Sequence, residues 1–477
     1  MYPNVELYID GTWRAARSGK RIPVINPSTE EEIGSVAHAG IEDLDEALAA
    51  ADKGFKVWSR TSAYERAKVL RKAADLLRQR ADTIAMMLSL ENGKPLDLAK
   101  MDTMQTADAV EWFGGECSRT YGRVIPARAD GIYQLVVKEP VGPVAAFGPW
   151  NVPVNTIGKK ICVALAAGCS VIAKSAEETP ASAAEVVRAF GDAGVPAGAV
   201  NLVFGIPSQI SEYLIPHPVI RKVSFTGSTV VGKQLAALAG KHMKRVTMEL
   251  GGHSPCIVFD DIDVDAIAKM LTVTKFRNTG QGCITPTRVI VQEKIYDQFL
   301  ERYVHHAKQV NVGDGLVPGS FMGPLANPRR LTAMEAFVAD VVQHGATIST
   351  GGKRIGNKGY YYEPTILSNV PKSARVMNEE PFGPLALVNR FTEFEEAIEE
   401  ANRLPYGLAA YAYTRSTKRA TAVAAQVEAG MVSINHHGLA LVETPFGGVK
   451  DSGIGSESAI EAMDAYMNHK FVTQASA

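Results

Sequence analysis

At 477 residues, with 50 basic against 51 acidic side chains and a formal charge of −1, the chain is long enough for about three domains of ordinary size. Such a balance creates no long-range field to gather nucleic acid or an anionic membrane surface, so neither partner is expected. The five cysteines, Cys117, Cys162, Cys169, Cys256 and Cys283, are odd in number and show no CxxC or His-rich metal spacing. Reduced thiols, no metal site and a cytoplasmic setting are therefore expected. Glu6 and Asp10 interrupt the stretch where a secretory leader needs continuous apolar residues, so none is expected.

From Ile41 to Trp58, Leu44, Ala47, Leu48, Ala51 and Phe55 fall at helical spacing. Ser62 and Glu65 then make a capping box for a second helix, whose buried stripe is Ala67, Leu70, Ala74 and Leu77. Between Val136 and Leu250 the pattern changes to short apolar runs followed by helical stretches. VGPVAAF from Val141, CSVIAK from Cys169, AVNLVF from Ala199 and KVSFT from Lys222 read as parallel strands, with Pro180 at the first turn of one intervening helix. That is a doubly wound, Rossmann-like α/β sheet, whose ligands bind outside the carboxyl ends of the strands. The longest weakly apolar run, Ile161 to Ala173, has 13 residues. A membrane span needs about 18, so none is predicted. A second alternation from Ile257 to Val432 predicts a second α/β unit. The segment from Arg119 to Lys138 and the tail from Asp464 fit neither unit, and KFVTQAS in that tail reads as an edge strand able to pair with another subunit.

Several stretches suit chemistry. Val141 to Ser175 contains Lys159, Lys160 and Lys174 and no acidic residue. A phosphate site and a buried sheet edge with snorkelling lysines fit that composition equally well. The GxGxxG fingerprint is missing from the first strand turn, against an ordinary lactate-type dehydrogenase. GSTVVGKQ from Gly227 misses a P-loop at Gln234, where a magnesium-binding hydroxyl is needed, so an ATPase is disfavoured. What remains is a strand-to-helix turn whose Gly227 admits a pyrophosphate and whose Ser228 caps the helix. In FRNTGQGCITPTR, Cys283 has small residues before it and Lys275, Arg277 and Arg288 nearby in sequence, which would favour a thiolate nucleophile. Glu249, in MELGGHSP, ends a strand before a Gly-Gly pair. A lone cysteine is more often a small buried hydrophobe and a lone glutamate a paired carboxylate, and sequence alone does not place the two side by side.

FGPWNVP at Phe147, AKSAEETP at Ala173, FTGSTVVG at Phe225, ELGG at Glu249, FRNTGQGC at Phe276, EEPFGP at Glu379 and PFGGVKDSGIGSE at Pro445 together resemble the aldehyde dehydrogenase superfamily, in its order and at similar separations. The resemblance implies an aldehyde dehydrogenase-like α/β fold: a Rossmann-like cofactor domain from 1–118 and 139–248, an α/β catalytic domain from 249–463, and a small β flap for oligomerisation from 119–138 and 464–477. It implies a homodimer or homotetramer acting on a small-molecule aldehyde. Cys283 would be the nucleophile and Glu249 the general base, with Asn151 and the Cys283 backbone N–H holding the alkoxide and Lys160 relaying protons. Trp150, Lys174 and Glu177 would meet the adenosine ribose, Gly205, Gly227 and Ser228 the diphosphate, and Leu250, Glu380 and Phe382 the nicotinamide end. Glu177 can accept both ribose hydroxyls but repels a 2′-phosphate, which favours NAD over NADP. Ser175 departs from the proline common at its place and loosens that preference.

Within the family, KFRNTGQ and the GLALVETPFGG region look most like NAD-dependent succinate-semialdehyde dehydrogenases. That implies succinate semialdehyde or another short acidic semialdehyde as substrate, gripped by Arg277 and by Lys159, which stands where a second arginine is usual. Ala440 and Leu441 replace the region of a carboxylate-binding serine, and His436 and His437 add bulk beside it. Other readings stay open: a different small aliphatic or aromatic aldehyde, a CoA-acylating enzyme, which the presence of Glu249 argues against, and a catalytically silent structural relative.

Overall fold

A computed structural model describes residues 2–475, so Met1 and the last two residues of the 464–477 segment lie outside the described residues. Val144–Phe147, Val171–Lys174, Val200–Val203 and Lys222–Thr226 form strands at the four predicted places, each buried along its whole length. Burial on both faces explains why their sequences run nearly without polar alternation. They pair in parallel through Val144↔Val171, Val171↔Val200 and Lys222↔Val144. The chain thus steps outward from Val144–Phe147 through two strands, then returns to lay Lys222–Thr226 on the other side, followed by Arg245–Glu249 in register Thr226↔Glu249. The order reverses between Val144–Phe147 and Lys222–Thr226, and at such a switch point a crevice opens beyond the carboxyl ends.

Two additions complete this sheet that the sequence pattern does not reveal. Leu7–Ile9 and Thr12–Arg14 join one edge antiparallel, and Gly453–Ile454 joins the other through Glu249↔Gly453. Strands of two or three residues are too short to carry a readable period.

The helices Ile41–Trp58 and Ala63–Gln79 form as predicted, burying Leu44, Ala47, Leu48 and Ala51 on the first and Ala67, Leu70, Ala74 and Leu77 on the second. Ser62 Oγ accepts from the Glu65 amide at 3.2 Å, but only this half of the expected box forms, because the Glu65 side chain pairs with Lys68 at 2.7 Å. Phe55 is only half-buried, because it lines an open recess with Val141, Pro143 and Val219. Trp58 Nε1 donates to the Leu165 carbonyl at 2.8 Å and ties the first helix to Pro153–Ala167, which lies almost wholly inside the core.

The second sheet runs Thr347–Thr350, Thr365–Ser368, Leu385–Phe391, Arg288–Gln292, Pro255–Val258, Ala409–Tyr413, Met431–Ile434, parallel except for its first pair. A third, antiparallel sheet gathers the two segments that fit neither unit: Met467–Ala475 pairs with Ile132–Pro140 from Met467↔Pro140 to Ala475↔Ile132, and Arg123–Ile125 flanks it. The tail is an edge strand, exposed over nearly all its length. The architecture is therefore mixed α/β, with two main sheets and a small antiparallel flap. Among the described residues no helix is long and apolar enough to cross a membrane.

Candidate active site

The loop carrying Cys283 is held in an unusual backbone state. After the helix Val264–Phe276 the chain places Asn278, Thr279 and Gly280 at φ +51°, +57° and +68° in succession. For residues with a Cβ, left-handed φ costs on the order of 1 kcal/mol or more each, so neighbours must over-determine it. Thr279 Oγ1 donates to the Gly323 carbonyl at 2.9 Å, Asn278 Nδ2 to the Asn151 and Gln281 carbonyls at 3.2 and 3.1 Å, and the Ala326 amide to Gln281 Oε1 at 3.0 Å. Gly280 has no alternative, since a Cβ there would stand 2.2 Å from the Gly383 carbonyl oxygen.

Opposite this loop lie the carboxyl ends of the switch-point strands. Asn151 follows Val144–Phe147, Gly227 and Ser228 follow Lys222–Thr226, and Glu249 ends its own strand. With Cys283 they line one cavity of about 280 Å³, to which Trp150, Leu250, Arg330, Glu380 and Phe382 also contribute. Asn151 Nδ2 donates to the Gln281 carbonyl at 3.1 Å. A carboxamide nitrogen carries two N–H groups, so one is left for a ligand. Glu249 is 3% exposed, and its Oε1 has no hydrogen-bond partner among the described residues. An acceptor left without a partner at that depth is available to take a proton.

The charges around Cys283 correct the thiolate expectation. Lys275 and Arg288 are buried away from the sulfur, the latter paired with Glu400 at 3.0 Å, and Arg277 is exposed beside Met101 Sδ at 3.8 Å. Helix and strand geometry carries three neighbours in sequence to three different places. Burial and then the Glu249 charge push the thiol well above its ordinary range, so the thiol form is favoured beside the Glu249 carboxylate. Burial first, and the Glu457 charge second, raise the Glu249 carboxyl in turn. The other four cysteines are free and buried.

The three lysines of the acid-free stretch do not form one phosphate site; all are buried and each has its own partner. Lys160 bonds to Glu457 and, at 3.0 Å, to Ser224 Oγ. Thr226 Oγ1 also donates to Glu457, at 2.8 Å, so Lys160 connects to the Glu249 end of the sheet through that carboxylate and does not line the cavity. Lys159 lies 5.4 Å from the centre of the Phe446 ring; burial draws its ammonium below the usual range, and the charges of Glu457 and Glu249 oppose that. Lys174 pairs with Glu177 at 2.5 Å. Arg277 stands outside the cavity lining, and among the described residues it has no carboxylate partner.

Sequence reasoning missed Glu457, Arg330 and a buried support behind Asn151. Glu457 closes the quoted block at Pro445, but nothing local tells that the block returns to the first sheet. Arg330 Nη2 donates to the Phe382 carbonyl at 3.1 Å. Asn92 Nδ2 donates to the Trp150 carbonyl at 2.9 Å, and Lys94, itself paired with Asp102, donates to the Asn151 carbonyl at 3.1 Å.

A dinucleotide suits the remaining surface. The helix Thr229–Lys241 begins at Ser228, which holds the N-cap position but makes no side-chain cap bond, correcting the expected cap. Its hydroxyl and the first helical amides stay free for an anion. Gly227 admits no side chain, because a Cβ would sit 2.5 Å from the Phe225 ring. Glu177 Oε1 accepts from the Gly205 amide at 3.2 Å, where Gly205 has φ +143°. Trp150, expected beside Lys174 and Glu177, is instead at the Cys283 cavity, where its ring meets that of Phe382 edge to face, 5.6 Å between centroids, and Glu380 Oε1 accepts from the Gly252 amide at 3.2 Å. Free amides at the start of Thr229–Lys241 with Glu380 on the same cavity suit the diphosphate and sugar hydroxyls of a dinucleotide, while Lys174, Glu177 and Gly205 lie outside that cavity's lining.

Comparison with known proteins agrees. Residues 13–472 match the family model described as "Aldehyde dehydrogenase family". A putative 4-(hydroxymethyl)benzenesulfonate dehydrogenase of Comamonas testosteroni is 43% identical over 472 residues, covering 99% of this chain and 98% of the relative. The mitochondrial succinate-semialdehyde dehydrogenase of Arabidopsis thaliana is 42% identical over 464 residues, 97% of this chain and 88% of its own. The crystal structure of a succinate-semialdehyde dehydrogenase from Burkholderia pseudomallei superposes with a TM-score of 0.97 at 40% identity, covering 99% of this chain and 98% of that one.

Proposed function

Because the chain belongs to the aldehyde dehydrogenase family, we propose that it oxidises a short aldehyde bearing an anionic group to the carboxylic acid, with Cys283 as nucleophile and NAD preferred over NADP. Aldehyde oxidation with NAD(P) is the reaction of the family; the residue roles, the anionic substrate and the choice of dinucleotide are our reading. What supports it most is the meeting of Cys283, Glu249 and Asn151 in one cavity at the carboxyl ends of the first sheet.

The Cys283 sulfur adds to the carbonyl carbon while its proton passes to Glu249. The spare Asn151 N–H and the Cys283 backbone N–H take up the charge on the oxygen, each donor contributing roughly 3 to 4 kcal/mol to the transition state. A bound nicotinamide dinucleotide supplies the acceptor for the hydride that leaves the same carbon, and Cys283 is left as a thioester. Glu249, after losing its proton, takes another from a water, which attacks the thioester carbon; the departing sulfur recovers a proton and the acid leaves. Lys160 and Glu457 lie where that proton can be passed on.

Lys159, on which the Glu249 charge acts, supports an anionic end on the substrate, and the names of the Comamonas and Arabidopsis relatives both denote anions; Arg277, outside the cavity lining, adds no support. An aromatic sulfonated aldehyde is the second reading, favoured by the first of these names and by Phe446 beneath Lys159. In our reading the dinucleotide occupies 1–118 and 139–248, catalysis 249–463, and subunit contact in a homodimer or homotetramer uses 119–138 with 464–477. The test is formation of reduced dinucleotide from succinate semialdehyde and from 4-formylbenzenesulfonate, with NAD and with NADP, without CoA. Activity that survives in Cys283→Ser, or that needs CoA, overturns the proposal.

A further inference from the structure

Gly251 and Gly252 carry the chain from the strand that ends at Glu249 toward the second sheet, and the site packs against both. A Cβ on Gly251 would stand 2.6 Å from Glu380 Oε2 and 3.1 Å from Thr229 Oγ1, and one on Gly252 would stand 2.9 Å from the Cys283 carbonyl oxygen. Side chains are excluded there, so the turn has to be glycine. Two glycines in a row leave the peptide between them with little preference of its own for one orientation. A group outside the turn must set it.

Ser452 is placed to do so. It is fully buried, and its Oγ donates to the Gly251 carbonyl at 2.7 Å. The Gly252 amide, at the other edge of the same peptide, donates to Glu380 Oε1 at 3.2 Å. A trans peptide is rigid and planar, with its C=O and N–H pointing opposite ways, so a bond at each edge fixes its rotation. The Ser452 hydroxyl also accepts from the Gly407 amide at 2.9 Å, which leaves its single proton for Gly251. The backbone of Ser452 is anchored separately: its carbonyl accepts from the Leu250 amide at 3.0 Å, and Gly453 beside it pairs with Glu249.

We propose that Ser452 is a positioning residue for Glu380: by holding the Gly251–Gly252 peptide, its hydroxyl presents the N–H that keeps the carboxylate in the orientation that receives the ribose at the nicotinamide end of the dinucleotide. The inference rests on the dinucleotide reading above and adds a residue to it. Ser452 does not line the cavity, so it acts only through that peptide. Without the hydroxyl the Gly251 carbonyl loses its partner, the peptide is free to turn, and Glu380 loses the amide that aims it.

The test compares NAD with ADP, which carries the adenosine and the diphosphate but no nicotinamide ribose, both titrated by calorimetry without aldehyde. Ser452→Ala removes the hydroxyl and keeps the backbone of residue 452. NAD should bind about tenfold more weakly while ADP binds as it does to wild type, because the disturbance reaches only the nicotinamide end. In a Glu380→Ala background the same substitution should weaken NAD no further. A general loosening of the fold weakens both ligands alike, so equal losses for NAD and ADP overturn the proposal. Unchanged NAD affinity in Ser452→Ala, or additive losses in the cycle, overturn it as well. Should Ser452→Ala not fold, Ser452→Cys, which fills the space with a poorer donor, meets the same comparison and the same criteria. Wild-type protein that binds neither NAD nor NADP would instead remove the dinucleotide reading itself.

Discussion

Asn151 and Gln281 join the two main sheets at the reacting centre: the Asn151 side-chain nitrogen donates to the Gln281 carbonyl at 3.1 Å, two residues before Cys283. The bond consumes one N–H and thereby aims the other. Behind it, Lys94 holds the Asn151 backbone carbonyl and Asn92 holds that of Trp150, so the carboxamide rests on a buried frame.

Asn151→Ala removes the side-chain donor to the alkoxide while leaving Cys283 and Glu249. The expected loss is about 10²-fold or more in kcat, with a much smaller change in the KM for aldehyde. Steady-state kinetics at saturating dinucleotide reads both. A kcat within a factor of about three of wild type, in a protein of unchanged melting temperature, leaves Asn151 without its assigned role.

Gly280→Ala tests the strained loop. The added Cβ meets the Gly383 carbonyl oxygen at 2.2 Å, and φ +68° is strained for alanine in any case. The loop must shift, and with it Cys283. Activity should fall by about 10²-fold, because small displacements of a reacting group are costly, and the rate of Cys283 alkylation by iodoacetamide should change as well. Normal turnover would show that the loop tolerates another path.

How much of this was readable beforehand follows from where the chemistry lies. Asn151, Gly227 and Ser228 follow the carboxyl ends of strands whose apolar runs are plain in the sequence, so locating those strands located the crevice, and Glu249 ends the strand beside them. The surroundings of Cys283 were not readable. Lys275, Arg277 and Arg288 are close to it along the chain, yet a helix end and a strand start turn them elsewhere. Glu457 is distant in sequence and reaches Thr226 only because Gly453–Ile454 adds an edge strand too short to predict.

The pH dependence of turnover follows from the same carboxylate pair. Burial and the Glu457 charge hold Glu249 above the usual carboxylate range. Glu249 accepts a proton only when ionised, so thioester hydrolysis is present above that raised pKa and is lost as pH falls through it. Glu457→Gln removes one raising charge and frees Lys160, whose charge lowers Glu249 further. The acid limb of kcat should therefore move to lower pH. In Glu249→Gln both the first burst of reduced dinucleotide and steady turnover should slow, the latter about 10²-fold, because the same carboxylate takes the thiol proton and then the water proton. An acid limb that stays put or moves upward in Glu457→Gln contradicts the coupling.

In the proposed reading, dinucleotide choice turns on Glu177. Its carboxylate is paired with Lys174 at 2.5 Å and braced by the Gly205 amide at 3.2 Å, so it cannot easily swing aside for a 2′-phosphate. Like charges about 4 Å apart repel by about 4 kcal/mol at the effective dielectric near a protein surface, and tenfold in affinity corresponds to about 1.4 kcal/mol. Glu177→Ser removes that repulsion and leaves the Lys174 ammonium without its partner, ready to pair with the phosphate instead. The ratio of kcat/KM for NADP to that for NAD should rise at least about tenfold, from loss on the NAD side and gain on the NADP side together. Measuring both ratios in wild type and variant decides it. A wild type that already favours NADP, or a ratio that Glu177→Ser leaves unmoved, shows that the carboxylate does not face the ribose.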